Sequence, residues 1–380
     1  MSGGALMSGA RLLVIIAPLR LALWVLGVGM AVVLLLMAIG VRQHLERARA
    51  GERRERVRAE LEPVFSRFLE TDDEERLAAE LRPAFMRMDA AHRPVAAVLT
   101  TEVMQAASWS QREQLRRALE KAGIVELGHR GTRRFSPWRR ALACEMLGKI
   151  GSASSVPVLR ERLKDRRPEV RVAAVRALGD IRSTEAVPAL SEAFLERRVA
   201  PTDVVNEALR RIGGESAPAF EQGAVSTDPI VRVSSCFGLS GIAECHGGAV
   251  HRLAVVLGSD SDAAVRAGAA AALGIVGGGN APPELPSATG DAEVQVRRAA
   301  VKALGSFDDP SSCEVLDERT EDEDREVALR AAEALVALAG RPRAGLEAQS
   351  RLASSSAWAV QYARTVAEVE RAREAAGVSA

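Results

Sequence analysis

A ten-residue pattern that recurs along the chain constrains the fold more than any single motif does. VRVAAVRALG occupies residues 170–179, and related segments at 139–148, 265–274 and 296–305 read RRALACEMLG, VRAGAAAALG and VRRAAVKALG. Self-similarity at a spacing of roughly 20 to 50 residues is typical of proteins that repeat one small structural unit. We therefore expect an array of units rather than one central core.

The leucine before the last glycine of the pattern marks the position of each unit. Four clear and four weaker markers are assigned: Leu147, Leu178, Ile212, Leu239, Leu273, Leu304, Leu335 and Val366. The steps between them are 31, 34, 27, 34, 31, 31 and 31 residues. About eight units are therefore expected in residues 137–380.

Within one unit, the apolar residues predict two helices separated by a turn. Val170, Ala174 and Leu178 recur at intervals of four residues, which places them on one face of a helix. A turn is expected at 179–184, and the second apolar segment opens with Pro188 in its first turn, where a missing backbone N–H is tolerated. Neither helix can cover its apolar face alone, so the pairs must stack into an all-α, right-handed α-solenoid.

The signature V-R-x-A-A-x-x-A-L-G resembles that of the HEAT-repeat superfamily, in particular the short repeats related to the phycobilin lyases. The resemblance covers the units in 137–380 and implies a solenoid that offers an extended surface to protein partners. Kinship with the phycobilin lyases implies one enzymatic alternative, which is the attachment or removal of a bilin chromophore.

The arginine of the signature is a candidate for contacts between units, because an acidic residue precedes it by four or six positions in most copies. Five arginines and four aspartates make up this set: Arg140, Arg171, Arg232, Arg266, Arg297, Asp165, Asp228, Asp260 and Asp291. An aspartate at a helix start accepts backbone N–H groups and also meets an arginine of an adjacent pair. We expect a structural ladder between repeats, and the functional alternative is an arginine stripe that binds an anionic ligand.

The front of the chain contains a long apolar segment. Residues 21–41, LALWVLGVGMAVVLLLMAIGV, include no charged side chain. A helix of this length measures about 32 Å, close to the roughly 30 Å of a bilayer core. We predict a transmembrane helix there, after an N-terminal tail at 1–20, and a cleaved secretory signal peptide is the main alternative.

The charges that flank this segment predict its orientation. Seven arginines at 42–58 follow it and two, Arg11 and Arg20, precede it. Because positive residues favour the cytoplasmic side, the C-terminal part is expected in the cytoplasm of a bacterium, anchored in the inner membrane by one span. The alternative places the array in the periplasm.

Three further segments complete the expected organisation. Residues 42–60 alternate in charge and predict a solvated helical stalk. Residues 61–136 predict several helices that cap the first unit, because the end of an array needs a covered face. At 277–290 three prolines leave the fifth unit room for little more than a turn in place of a second helix.

Charge composition argues against nucleic acid as a partner. The chain has 51 basic and 50 acidic residues, so it lacks the excess of positive charge that binds nucleic acid. Its 4 Trp, 1 Tyr and 8 Phe also provide few aromatic rings on which bases could stack. One acidic segment stands out, DERTEDEDRE at 317–326. It is interpreted as a loop in which Asp322 or Asp324 starts the seventh pair, and the alternative is a docking site for a basic partner.

No motif predicts catalysis, a cofactor or a metal. Cys236, Cys245, His246 and His251 fall within sixteen residues, but their spacing matches no standard zinc module. The glycine-rich segment GIVGGGN lacks the preceding strand and following lysine of a phosphate-binding loop, so it is expected to be a turn. A Cys/His metal-dependent sensor remains the alternative to a non-enzymatic protein, beside the bilin-lyase-like enzyme.

These features together predict a membrane-anchored scaffold for protein–protein interaction, with a cytoplasmic solenoid and no nucleic-acid partner. Its layout resembles that of bacterial anchored HEAT proteins that accompany membrane glycosyltransferases or envelope complexes, which implies a membrane-associated protein partner. The expected contact surface is the row of second helices, including Arg160, Lys164, Glu192 and Arg197.

Overall fold

The computed structural model describes Met37 and residues 51–68, 73–88, 92–244 and 247–375. The chain divides into two compact units between Gln114 and Leu115. Apart from Met37, the predicted transmembrane helix at 21–41 lies outside the described residues, as does the tail at 1–20. Within the described ranges, no helix has both the length and the apolar character that a membrane span requires.

The described part of the first unit contains helices α1 at 51–68, α2 at Glu74–Arg87 and α3 at Arg93–Ala106. Apolar side chains such as Leu61 and Leu81 are completely or almost completely buried. Arg54 on α1 forms an ion pair with Glu102 on α3 at 3.0 Å. The boundary predicted between stalk and cap, at residue 60, lies inside α1, so residues 51–60 of the charged segment share one helix with the apolar segment that follows, while 42–50 lie outside the described residues.

The second unit begins within α4, Trp109–Lys121, and continues with α5, Ile124–Gly131. Seven helix pairs follow: α6 Pro137–Ile150 and α7 Val156–Arg162; α8 Pro168–Ile181 and α9 Val187–Glu196; α10 Thr202–Ile212 and α11 Ala217–Gly223; α12 Pro229–Gly241 and α13 Ala249–Ser259; α14 Ala263–Val276 and α15 Glu284–Ala288; α16 Val294–Leu304 and α17 Ser311–Arg319; α18 Arg325–Leu338 and α19 Gly345–Ser354. Helix α20, Trp358–Ala375, begins an eighth repeat.

Stacked helix pairs account for this unit, and the described residues contain no β-strand beyond one isolated bridge between Gly278 and Phe307. The prediction of an all-α solenoid is therefore confirmed. We call the first member of each pair its first helix and the other its second helix.

The signature glycine brings neighbouring first helices into close contact. A Cβ atom added to Gly148 would lie 2.6 Å from the Cα atom of Ala177, and one added to Gly179 would lie 2.6 Å from that of Ala208. Gly179 is inside α8, which continues to Ile181. The prediction that the turn starts at residue 179 is therefore wrong, because this glycine is needed for helix packing.

The same contacts correct the register of the third repeat. Because Ala208 takes the place that Ala177 takes one repeat earlier, the marker is Leu209 and not Ile212. Leu209 is completely buried. The steps between markers become 31, 31, 30, 34, 31, 31 and 31 residues, so the array is more regular than the sequence alone indicated.

Two rows of first-helix side chains form the core of the array. The valine at the first position of the signature and the marker leucine are 0% exposed in the repeats that carry them: Val170, Val231, Val265, Val296, Val327, Leu147, Leu178, Leu209, Leu239, Leu273, Leu304 and Leu335. Burying one such side chain stabilises a fold by roughly 1.5–3 kcal/mol. The core therefore continues from repeat to repeat without a single centre.

The fifth repeat keeps a second helix, although a short one, where its prolines predicted little more than a turn. Helix α15 spans five residues, and its Leu285 is still completely buried. The turn before it contains Gly277 at φ +57° and Gly278 at φ +129°, which are conformations that favour glycine. The glycine-rich segment is thus a turn between helices, as expected.

We predict that Gly179→Val destabilises the second unit, because the new side chain meets the backbone of Ala208 and forces α8 and α10 apart. Overpacking of this kind costs about 1–3 kcal/mol. Gly290→Ala is the control, since its nearest contact would be an ordinary 3.6 Å. Urea unfolding followed by circular dichroism measures both variants, and equal midpoints for Gly179→Val and the wild type would contradict the proposed packing role.

Candidate interaction surface

Four of the five signature arginines bind an aspartate in the loop that follows their own repeat. The pairs and their two N···O distances are Arg140 with Asp165 (2.9 and 2.9 Å), Arg232 with Asp260 (2.8 and 3.1 Å), Arg266 with Asp291 (2.8 and 2.9 Å) and Arg297 with Asp322 (3.1 and 3.2 Å). Each is a two-point contact between a planar guanidinium and a carboxylate, which fixes orientation as well as distance. We call each such pair a repeat clamp.

Each clamp also holds the loop that precedes its own repeat. The third nitrogen of Arg266, Nη1, donates to the carbonyl oxygen of Asp260 at 2.9 Å, and that of Arg297 donates to the carbonyl oxygen of Asp291 at 3.0 Å. The Asp291 carboxylate in turn accepts the backbone N–H of Glu293 at 2.9 Å. From Arg232 to Asp322 the clamps therefore connect successive loops without interruption.

Arg171 and Asp228 depart from the expected pairing. Arg171 donates to the backbone carbonyls of Val199 at 2.6 Å and Arg198 at 3.1 Å, where an aspartate was expected. Asp228 accepts from Arg197 at 2.7 Å and caps α12 by accepting the N–H of Ile230 at 2.9 Å. Asp228 is therefore a helix cap rather than part of a clamp.

The clamp is missing as a whole between the third and fourth repeats. By register, Thr202 stands where the arginine would be, and Ser226 stands six residues before Arg232, where the aspartate would be. Because both partners are replaced, neither an unpaired arginine nor an unpaired aspartate is left in the interior.

Asp322 is the clamp partner that sequence analysis left out. It follows Arg297 by 25 residues, the same separation as Arg140 to Asp165 and Arg266 to Asp291, so a fixed offset would have identified it. The sequence predicted Asp322 or Asp324 at the start of the seventh pair, and of these two Asp324 caps α18 by accepting the N–H of Val327 at 3.0 Å.

Most acidic side chains of the segment 317–326 form ion pairs with arginines of the same chain. Six of its seven acidic residues lie in ion pairs, with Arg297, Arg298, Arg319, Arg330 and Arg351 as the basic partners. The loop therefore offers a basic partner much less free charge than its composition indicates.

The four residues predicted to contact a partner lie on or beside α7 and α9. Arg160, Lys164 and Glu192 are exposed. Arg197 ends α9 and is engaged with Asp228. Their role in binding stays a prediction.

The Cys/His alternative loses support from the position of Cys236. This residue is completely buried on α12, and burial raises the pKa of its thiol to about 12, so the thiolate that a metal requires is disfavoured. His251 is exposed on α13, while Cys245 and His246 lie outside the described residues. Cys144 and Cys313 are buried too, and within the described ranges no three potential ligands form a metal-binding group.

An exposed apolar surface lies on two adjacent first helices and was not anticipated from the sequence. Helices α12 and α14 each contain a single charged residue, Arg232 and Arg266, and both belong to clamps. Ile230, Phe237 and Ile275 on their outer sides are 52%, 39% and 63% exposed.

By register, Ala264 and Ala271 of α14 occupy the positions of Ile230 and Phe237. We call Ile230, Phe237, Ala264, Ala271 and Ile275 the central apolar face. At the position equivalent to Phe237 and Ala271, the neighbouring first helices carry charged residues, Glu207 on α10 and Lys302 on α16, and Arg211 on α10 is equivalent to Ile275. The face is therefore an uncharged area between two charged borders.

We predict that Asp291→Asn destabilises the second unit by about 1.5–3 kcal/mol, the usual contribution of a hydrogen bond to a charged group. The reason is that Arg266, only 18% exposed, loses its charged partner. Glu333→Gln is the control, since its pair with Arg330 is 46% and 42% exposed and should contribute less than about 1 kcal/mol. Equal urea midpoints for the two variants would contradict the clamp.

The clamp also predicts a dependence on pH. Hydrogen bonds from Arg266 keep the pKa of Asp291 below its ordinary value. The contribution is therefore complete above the unfolded pKa of about 3.9 and is lost as pH falls through the lower folded pKa. The stabilities of the wild type and Asp291→Asn should converge when unfolding is repeated below about pH 4, and a constant difference would contradict this assignment.

Comparisons with known proteins agree with the repeat geometry. A family profile described as HEAT repeats matches residues 129–212 and 282–367. No curated protein matches the chain significantly.

Similar solved structures include three that differ widely in origin. An engineered protein is 21% identical, over 75% of this chain and 86% of its own, with a TM-score of 0.37. Kap121p is 14% identical, over 78% of this chain and 38% of its own, with a TM-score of 0.49. The complex of CpcE and CpcF of phycocyanin lyase from Nostoc sp. PCC7120 is 17% identical, over 68% of this chain and 94% of its own, with a TM-score of 0.28.

The two segments that match the family profile lie on either side of repeats with the same paired helices, the same buried valine and leucine rows and the same register. The second unit is therefore built of HEAT repeats.

Proposed function

We propose that the second unit is a protein-interaction scaffold and that its partner binds the central apolar face. The observation that carries this proposal is the exposure of Phe237 and Ile275 on two helices without any free charge. Contiguous apolar surface bordered by charged residues is a feature of protein-binding sites.

The clamps support this proposal because they fix the helices that present the face. Arg232 and Arg266 anchor the starts of α12 and α14 to the loops of the following repeats. A surface that is already ordered before binding loses less conformational entropy when a partner docks. The face is thus suited to bind without rearrangement of the array.

The charged border on α16 indicates the chemistry of the partner. Lys302 is exposed, lies in the same row as Phe237 and Ala271, and forms no ion pair with the described residues. An apolar segment with an acidic residue at one edge complements this arrangement, and the charge contributes to specificity and association rate more than to affinity.

The membrane anchor extends the proposal. The predicted span at 21–41 would hold the scaffold beside the bacterial inner membrane, with the array in the cytoplasm. Confinement to a surface raises the effective concentration toward a membrane-associated partner. The partner class proposed first is a membrane glycosyltransferase or an envelope complex.

Affinity purification of the tagged full-length protein from detergent-solubilised membranes of its native cells tests the scaffold. We expect a companion protein in stoichiometric amount. The double substitution Phe237→Glu and Ile275→Glu should reduce its recovery at least tenfold, because central apolar contacts of an interface each contribute more than about 1 kcal/mol.

The matched control is Val225→Glu, which also adds a charge at an exposed apolar position, 71% exposed, but lies outside the central apolar face. It should retain the companion. Recovery of no stoichiometric companion by the wild type would contradict the scaffold itself, while equal recovery by all three proteins would contradict only the assigned face.

The anchor has a separate test. The full-length protein should remain in the membrane fraction after alkaline carbonate extraction, and deletion of residues 21–41 should release it. For orientation, Leu346→Cys supplies a thiol at a position that is 84% exposed, whereas Cys144, Cys236 and Cys313 are buried. Labelling of Leu346→Cys from outside intact spheroplasts would show a periplasmic array and contradict the proposed topology.

A further inference from the structure

The last helix of the array carries the core side chains of a repeat without the cover that they have elsewhere. Four residues of α20 follow the core residues of α18 by 31 positions: Trp358, Tyr362, Val366 and Val369 follow Val327, Ala331, Leu335 and Leu338. We call the four residues of α20 the terminal stripe. Their spacing places them on one side of the helix.

Exposure distinguishes the two helices sharply. The four core residues of α18 are each 0% exposed. Trp358, Tyr362, Val366 and Val369 are 47%, 55%, 37% and 47% exposed. The other side of α20 is well packed, since Ala359 and Val360 are completely buried. Helix α20 is therefore docked by one face and leaves its second apolar face in solvent.

The composition of the terminal stripe is typical of a binding surface. Here the chain's one tyrosine and one of its four tryptophans are placed on the outside, and aromatic residues are enriched at interface centres. The guanidinium carbon of Arg325 lies 5.2 Å from the centre of the Trp358 ring, which holds this ring in place.

We propose that the terminal stripe binds the same stripe of a second copy of this chain, with the two α20 helices antiparallel. A two-fold axis makes an interface in which one surface contacts its own equivalent. Centred between Tyr362 and Val366, such a pair sets Tyr362 against Val366 of the other copy and Trp358 against its Val369.

The order of large and small side chains favours this arrangement. Both aromatic rings lie in the first half of the stripe and both valines in the second, so antiparallel packing places each large side chain against a small one. Parallel packing would set ring against ring at one end and leave valines apart at the other, which is a poorer fit for close packing. Gln361 and Thr365 border the stripe and are uncharged, so no like charges oppose each other there.

The mass of the purified full-length protein in detergent, measured by light scattering after gel filtration and corrected for bound detergent, tests the proposal. The wild type should be a dimer. Val366→Glu, which introduces a charge at the middle of the stripe, should halve the mass. Leu346→Glu is the matched control on α19, since it adds the same charge at an apolar position with 84% exposure, and it should remain dimeric.

Disulfide formation tests the orientation. Two differently tagged copies, one with Trp358→Cys and one with Val369→Cys, should link to each other on a background with Cys245→Ser. In an antiparallel pair the two copies of residue 358 are roughly 18 Å apart along the helices, given a rise of 1.5 Å per residue, so copies of one variant should not link to themselves.

Three results would overturn the proposal. They are a monomeric wild type, a Val366→Glu mass equal to that of the wild type, and self-linking of the Trp358→Cys copies. Loss of a different protein with Val366→Glu at unchanged mass would assign the stripe to that partner instead. Since Phe237→Glu with Ile275→Glu should leave the dimer intact, failure here is distinguishable from failure of the proposed scaffold.

Discussion

Close approach of neighbouring first helices is the contact on which the rest of the second unit depends. At four junctions a glycine without a side chain lies against an alanine one repeat further on: Gly148 with Ala177, Gly179 with Ala208, Gly274 with Ala303 and Gly305 with Ala334. Between the third and fourth repeats the arrangement is reversed, because Arg210 replaces the glycine and Gly241 leaves space for its side chain. Only at this short separation do the valine and leucine rows exclude water and the arginines reach the next loop.

The clamps and the apolar core stabilise the array in different ways. Burial of valine and leucine provides most of the stabilisation but is non-directional. The two-point contact between an arginine and an aspartate adds direction, and Asp260 and Asp291 each join two clamps through carboxylate and carbonyl oxygens. Because Arg232 and Arg266 are the only charged residues of α12 and α14 and both form clamps, the outer faces of these helices are apolar. The same architecture that stabilises the array therefore creates the surface proposed for a partner.

The proposed scaffold and the proposed dimer use different helices of the array. The central apolar face lies on α12 and α14, and the terminal stripe lies on α20. A dimer formed through α20 would carry two central faces, so two partners could be held by one assembly. If the predicted span at 21–41 anchors both copies, each weak contact is strengthened by confinement to the membrane surface.

The sequence by itself determined the pairing of the helices and most of their register, because apolar periodicity and the repeated signature are local properties. Four of the five arginines and three of the four aspartates that the sequence predicted for contacts between units do form clamps. Tertiary structure decided what no local pattern contains. Leu209 displaced Ile212 as the third marker because helix contacts set the register, and Asp322 joined the clamps because Arg297 reaches it from the preceding repeat. The two proposed binding surfaces follow from solvent exposure. Phe237 and Trp358 resemble core residues in sequence, and only the packing of neighbouring helices leaves them in solvent.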